Sequence, residues 1–162
     1  MQFGRIDAHF KACEEHLDKH GLRNTEYEYY LVQYLLVRIC AEYEDRVKVM
    51  FERRCSRIGD KEVKKFLQRN LKDYLKHFDI KDIANVMARF GEEYRTNFQN
   101  SLSQPANTGW NNVYVNRQQA AHQGGVQMTL TDLKKDYASS LLVFDAIASV
   151  FKLTASEMKG LG

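Results

Sequence analysis

Residues 25–51, TEYEYYLVQYLLVRICAEYEDRVKVMF, decide the fold class of this chain. Apolar residues recur in this stretch every three or four positions, the spacing that places side chains on one face of an α-helix. Thr25, with Glu28 three residues later, is the signature of a capping box at a helix start. The stretch therefore predicts one long helix whose buried face consists of Val32, Leu35, Leu36, Ile39, Cys40, Tyr43, Val47, Met50 and Phe51.

The same periodicity continues on both sides of the long helix. A first helix is predicted over about residues 5–20, a third after a capping Asp60, and a fourth after Asp79 or Asp82. Glycine and proline are scarce, so few breaks interrupt the pattern.

The second half of the chain contains the predicted main loop. Residues 100–108 are rich in Ser, Asn and Gln and include Pro105, the single proline of the chain. A short helix around Trp110 follows this loop, and Thr129 or Thr131 opens the last helix.

The composition fits one globular domain, with 162 residues, 44% of them hydrophobic and 28% charged. We expect one all-α domain over residues 1–162, a bundle of five or six helices with a frayed tail at about residues 152–162. No apolar run is long enough for a bilayer and no signal peptide is recognisable, so the sequence predicts a cytoplasmic protein without membrane contact. Three cysteines without a CxxC pair, Cys13, Cys40 and Cys55, are expected to be reduced and mostly buried.

The charge of the chain is unevenly distributed. Residues 46–76 contain eleven Lys or Arg and four Asp or Glu, whereas the remainder contains thirteen basic and seventeen acidic residues. A basic segment of this kind could follow a phosphate backbone. The alternative interpretation is a solvated helix face with intrahelical ion pairs.

A hexapeptide near the end of the chain carries the most specific chemistry. Arg117-Gln118-Gln119-Ala120-Ala121-His122 is followed by two glycines, Gly124 and Gly125, which predict a helix end. Arginine matches two phosphate oxygens with its planar fork, and histidine transfers protons near neutral pH. A metal-free phosphodiester transfer needs these two groups. Residues five apart differ by about 140° around an ideal helix, so convergence of the two side chains requires a relaxed last turn.

This hexapeptide resembles the motif of the HEPN superfamily (higher eukaryotes and prokaryotes nucleotide-binding domains). Members are small helical bundles with an Arg-x4–6-His motif at a helix end, and the ribosome-linked and defence-associated branch looks closest. Supporting similarities are Tyr114 one turn before the Arg, the Tyr43-Glu44 pair in the long helix, and Thr129-Leu130 at the start of the last helix.

The resemblance implies a metal-independent endoribonuclease that acts as a homodimer on RNA, without a cofactor or a metal. Arg117 would bind the scissile phosphate, and His122 would act as general acid or base. Gln118 would hydrogen-bond a phosphate, and Glu44 would orient Arg117 or His122. The resemblance also implies a toxin or anti-phage defence effector, with a regulatory partner protein. The alternative is a non-catalytic helical adaptor that binds a protein or a nucleotide.

Two further groups of side chains have more than one interpretation. His9, Cys13, His16 and His20 share one helix face at spacings that suit a Zn²⁺ or Cu²⁺ site, or they simply edge an amphipathic helix. An aromatic cluster in the long helix could stack on bases, although packing between helices or a dimer contact is favoured. That cluster consists of Tyr27, Tyr29, Tyr30 and Tyr34.

Overall fold

The computed structural model describes residues 4–75, 78–122 and 128–158, and this part of the chain contains helices and no strand. The all-α prediction is therefore confirmed. None of the helices described is both long enough and apolar enough to cross a membrane. In chain order the helices are α1 (Gly4–His20), α2 (Glu26–Ser56), α3 (Lys61–Tyr74), α4 (Ile80–Ala88), α5 (Glu92–Ser101), α6 (Gln104–His122), α7 (Leu130–Ser140), α8 (Leu142–Phe151) and α9 (Ala155–Met158).

Helix α2, with 31 residues, is the central helix of the fold. Every residue of its predicted apolar face is buried, which confirms that prediction. Near its middle the Tyr43 ring stacks on Trp110 of α6 at a centroid distance of 4.5 Å and meets the edge of Phe144 of α8 at 5.3 Å. These aromatic contacts hold α2, α6 and α8 around one core.

Four predicted helix starts are confirmed by their caps. Asp60 accepts hydrogen bonds from the first turn of α3, Asp79 from that of α4, and Thr129 from that of α7. Thr25 is the N-cap residue of α2 as predicted. The side-chain oxygens of Asp60, Asp79 and Thr129 satisfy backbone N–H groups that have no partner within the helix.

The predicted capping box at Thr25 is wrong in its bonds. Thr25 Oγ1 donates to the Leu22 carbonyl at 2.6 Å, and its side chain does not cap α2. Glu28, only 1% exposed, accepts from the backbone N–H of Asn24 at 2.6 Å and of Leu130 at 2.8 Å. One buried carboxylate therefore joins the turn before α2 to the start of α7, because both present unpaired N–H groups.

The described residues contain more helices than the five or six predicted. Gly91, with φ of 137°, separates α4 from α5, and Leu141 separates α7 from α8. The predicted loop at residues 100–108 is mostly helix, since α6 already begins at Gln104. Pro105 is tolerated there because the first turn of a helix needs no N–H from that residue.

A short helix, α9, lies within the tail that the sequence predicts to fray. Arg57, just after α2, donates to both carboxylate oxygens of Glu157 in α9, the shorter bond being 2.6 Å. The same guanidinium donates to the carbonyls of Phe151 and Lys152 at the end of α8. One arginine thus satisfies the terminal carbonyls of α8 and anchors α9. Residues 159–162 lie outside the described residues.

Helices α6 and α7 approach closely at Gly109. A Cβ at this position would lie 2.6 Å from the Asp136 carbonyl and would also collide with the Ser139 hydroxyl. Only glycine lets the two helices reach this separation, and the same pair is joined by a hydrogen bond from Asn112 to Asp136 at 3.0 Å. This contact positions α6, which carries the hexapeptide.

Candidate functional site

Helix α6 runs antiparallel to α2, and this places Arg117 beside the middle of the long helix. Trp110 lies against Tyr43, and its indole N–H donates to the Phe78 carbonyl at 2.7 Å. One turn later, Tyr114 lies in the electrostatic neighbourhood of Cys40 and Glu44. We call the surface formed by Cys40 and Glu44 of α2 with Tyr114 and Arg117 of α6 the α2–α6 seam.

The α2–α6 seam is partly shielded from water, and Arg117 and Glu44 have opposite effects on the pKa values of the groups within it. Burial raises the pKa of the Cys40 thiol to about 12, the Arg117 guanidinium lowers that pKa, and the Glu44 carboxylate raises it. Burial likewise raises the pKa of the Tyr114 hydroxyl, with Cys40 and Glu44 raising it further and Arg117 lowering it. Arg117 and Glu44 therefore lie within electrostatic reach of the same two groups.

Arg117 is half-buried, and no described carboxylate lies within 4 Å of its guanidinium. Glu44 is also half-buried. It lies close enough to Tyr114 to raise the pKa of that hydroxyl, and it forms no ion pair with Arg117. Gln118, in contrast, is exposed. An arginine fork without a neighbouring carboxylate keeps its donors for an external anion such as a phosphate.

His122 is the last residue of α6, and its side chain lies outside the described part of the chain, as do Gly124 and Gly125. The backbone remains helical from Arg117 to His122. The two positions are therefore separated by about 140° around the axis and about 7.5 Å along it. The convergence of their side chains within one protomer remains a prediction.

The basic segment at residues 46–76 does not form one solvated surface. Arg46, at 3% exposure, pairs with Glu42 at 2.8 Å. Arg54 donates to the Tyr94 hydroxyl at 2.8 Å, and Arg57 holds α9. These three cations serve the fold, and of the three Arg46 alone forms an ion pair within its own helix, as the alternative interpretation expects. Apart from Arg57, the exposed basic residues described in this segment lie on α3: Lys61, Lys65 and Arg69.

The His and Cys residues of α1 behave as the edge of an amphipathic helix. Cys13 is buried in the core, and burial raises the pKa of its thiol, with a smaller contribution from Glu14. His9 meets Tyr34 edge-on, and the His16 and His20 rings lie 4.8 Å apart. Within the residues described, no three His, Cys, Asp or Glu side chains are grouped so as to hold a metal ion.

The tyrosines of α2 are the main exposed aromatic feature of this helix. Tyr27, Tyr30 and Tyr34 are 62%, 56% and 46% exposed, so they do not pack between helices of one chain, and the dimer contact that the sequence offered as the other possibility remains a prediction. Val37, 53% exposed, continues the row towards Cys40. We call Tyr27, Tyr30, Tyr34 and Val37 the tyrosine stripe. Their spacing of three or four residues places them along one side of α2, over about 15 Å.

A groove between α1 and α7 was not expected from the sequence. Its floor is formed by Phe10 and Tyr137, and a Lys134–Glu14 ion pair of 2.8 Å crosses its rim. Because α1 and α7 are far apart in the sequence, the apolar periodicity of each helix does not predict that they form a groove together.

Comparison of the chain with family models, with curated proteins and with solved structures gives no significant match. The resemblance to the HEPN superfamily therefore rests on the residues of the hexapeptide and its surroundings, and it remains a prediction.

Proposed function

We propose that two copies of this chain form a metal-independent endoribonuclease with Arg117 and His122 at its active site, acting as a toxin or anti-phage defence effector. The observation that carries the proposal is the environment of Arg117. This guanidinium is half-buried in the α2–α6 seam, where burial raises the pKa of Cys40 to about 12, and no described carboxylate lies within 4 Å of it. Partial burial strengthens its attraction for a phosphate.

The proposed reaction is an in-line transesterification. The RNA 2′-hydroxyl attacks the adjacent phosphorus, and one histidine accepts its proton. The bond from phosphorus to the 5′-oxygen breaks, and the 5′-oxygen takes a proton from a second histidine. The products are a 2′,3′-cyclic phosphate and a 5′-hydroxyl. Arg117 stabilises the charge that develops on the phosphate oxygens, with Gln118 as an additional donor and Glu44 as a positioning residue.

A homodimer supplies the second histidine, because each chain has only one His122. Support for a dimer comes from the tyrosine stripe, which is exposed and reaches the seam at Val37, three residues before Cys40. Tyrosine is enriched in protein interfaces, and a two-fold axis brings equivalent residues of two copies together. The arrangement also suits the separation of about 140° between Arg117 and His122, since each site can combine groups from both chains.

The test is cleavage of a pool of short RNA oligonucleotides in EDTA, with products identified by mass spectrometry. Arg117→Ala and His122→Ala are compared with wild type and with the matched controls Arg5→Ala and His16→Ala, which change exposed residues on α1. We expect the two site variants to lose at least about 100-fold in rate while folded, and the controls to cut normally. Equal cleavage by all five proteins, or cleavage that requires added metal, would contradict the proposal.

A second candidate function is a non-catalytic adaptor, and the exposed tyrosine stripe also favours it. In that case the stripe binds a different protein, and Arg117 binds a nucleotide or a carboxylate without chemistry. A wild-type chain that is monomeric by light scattering and silent towards RNA would favour the adaptor over the nuclease.

A further inference from the structure

Helix α3 presents an unusual exposed row of side chains. Phe66 is 64% exposed and Tyr74 is 43% exposed, and Asn70 lies between them at the same spacing of four residues. Residues four apart lie above one another on a helix, so the three side chains form one row about 12 Å long. We call Phe66, Asn70 and Tyr74 the aromatic row. Large aromatic rings in water are unfavourable for a surface that has no partner.

Positive charge accompanies the aromatic row. Helix α3 contains five Lys or Arg and two Asp or Glu between residues 61 and 74. Of these, Lys61, Lys65 and Arg69 are exposed. From the end of α4, the Arg89 guanidinium lies over the Tyr74 ring at 3.9 Å from its centroid. Arg69, three residues after Phe66, lies beside that ring on the helix, and Arg89 lies over Tyr74, so each ring has one neighbouring cation, whereas Lys61 and Lys65 lie further round the helix.

We infer that the aromatic row of α3 binds single-stranded RNA, with bases two nucleotides apart stacked on Phe66 and Tyr74 and the phosphates between them held by Arg69 and Arg89. The inference deepens the proposed function and rests on it for the choice of RNA. Aromatic rings interleaved with basic groups are the recognition mode for single strands, because every base has a stacking face and every nucleotide a phosphate.

The dimensions of the row favour an RNA strand over a bilayer or a protein. A row about 12 Å long accommodates about two nucleotides, whereas a stable protein interface needs about 800 Å² on each side. Glu62 and Asp73 lie four and seven residues from Phe66, on the same side of α3. These carboxylates repel RNA phosphates as well as anionic lipids, so a bound strand must follow Arg69 and Arg89. Asn70 separates the two rings, so the row lacks the continuous apolar face with which an interfacial helix enters a bilayer.

The end of α3 lies close to elements of the proposed active site. The Phe78 ring lies 5.2 Å from the Lys48 ammonium of α2, and Lys48 follows Glu44 by one helical turn. Phe78 also accepts the hydrogen bond of Trp110 from α6. The segment that follows α3 therefore packs against α2 and α6, one helical turn from Glu44 and from Tyr114.

The experiment measures binding of fluorescein-labelled decauridylate by anisotropy in EDTA, on the Arg117→Ala background so that cleavage cannot interfere. Phe66→Leu keeps an apolar side chain but removes the ring, and Leu142→Val, exposed at the start of α8, is the control outside the row. We expect Phe66→Leu to weaken binding about 5- to 100-fold and Leu142→Val to leave it unchanged. A duplex RNA of the same length should bind more weakly and should not respond to Phe66→Leu.

The outcomes separate this inference from the proposed function. Binding that depends on Phe66, in a chain that never cuts RNA, supports the aromatic row and contradicts the nuclease. Cleavage in EDTA together with binding that ignores both Phe66→Leu and Tyr74→Leu overturns the aromatic row alone. Phe66-dependent binding to phosphatidylserine vesicles without binding to decauridylate, or Phe66-dependent self-association by light scattering, also overturns it.

Discussion

Replacing Glu28 tests whether one buried carboxylate holds two helix starts together. Glu28→Ala removes the acceptor of the Leu130 N–H, which lies at a buried position, and of the Asn24 N–H, which is exposed. The Leu130 N–H would be left buried without a partner, which costs about 1–3 kcal/mol of folding free energy. Water can replace the lost bond of the Asn24 N–H. Loss of side-chain packing adds to this, so we expect a loss of about 2–4 kcal/mol in the free energy of unfolding. For a chain of this size, that is a fall in Tm of about 5–12 °C.

The assay is urea unfolding followed by far-ultraviolet circular dichroism, with amide hydrogen exchange to locate the effect. Glu28→Gln retains one acceptor oxygen and should lose about half as much stability as Glu28→Ala. Glu26→Gln, an exposed neighbour that accepts only from the Tyr30 hydroxyl, is the control and should change stability by less than about 0.5 kcal/mol. The reasoning fails if Glu28→Ala unfolds within about 0.5 kcal/mol of wild type, or if exchange at Leu130 is unchanged.

Two other predictions concern the packing of α6 and the docking of α9. Gly109→Ala should lower the free energy of unfolding by about 1–3 kcal/mol, because the new Cβ would collide with the Asp136 carbonyl. Gly59→Ala is the control, because a Cβ at that position meets no atom within 4 Å, and it should not change stability in this way. Equal midpoints of urea unfolding for the two variants would refute this prediction. Arg57, together with the backbone N–H and the hydroxyl of Thr154 just before α9, lowers the pKa of the Glu157 carboxyl to about 2 by hydrogen bonding. Because this pKa is lower folded than unfolded, the stabilisation of α9 is complete above about pH 5 and should be lost as pH falls from about 4.5 to 2. An NMR titration of the Glu157 carboxyl checks this, and a midpoint near 4.5 would contradict it.

Local sequence patterns were sufficient to predict those parts of the fold that depend only on residues close together in the sequence. The buried face of α2 follows from apolar spacing, and the caps at Asp60, Asp79 and Thr129 follow from residue type beside a periodic segment. The contacts missed by the sequence join distant residues. Glu28 reaches Leu130 across 102 positions, and no periodicity encodes that pairing.

The candidate site was predicted in part for the same reason. Chemistry singled out Arg117, and the packing of α6 on α2 brings it near Glu44, which the sequence had named only through a family resemblance. The exposure of Phe66 could not be foreseen, because an apolar position at helical spacing predicts burial. Whether such a residue is covered depends on what α3 packs against, and that is a property of the whole fold.

The glycine contact between α6 and α7 has a consequence for the position of Arg117. A helix is stiff over two turns, and Arg117 lies eight residues, or about 12 Å, beyond Gly109. The distance between the two helices at Gly109 therefore sets where the guanidinium stands relative to α2. The absence of a side chain at Gly109, far from the proposed phosphate site, therefore determines the position of the Arg117 guanidinium.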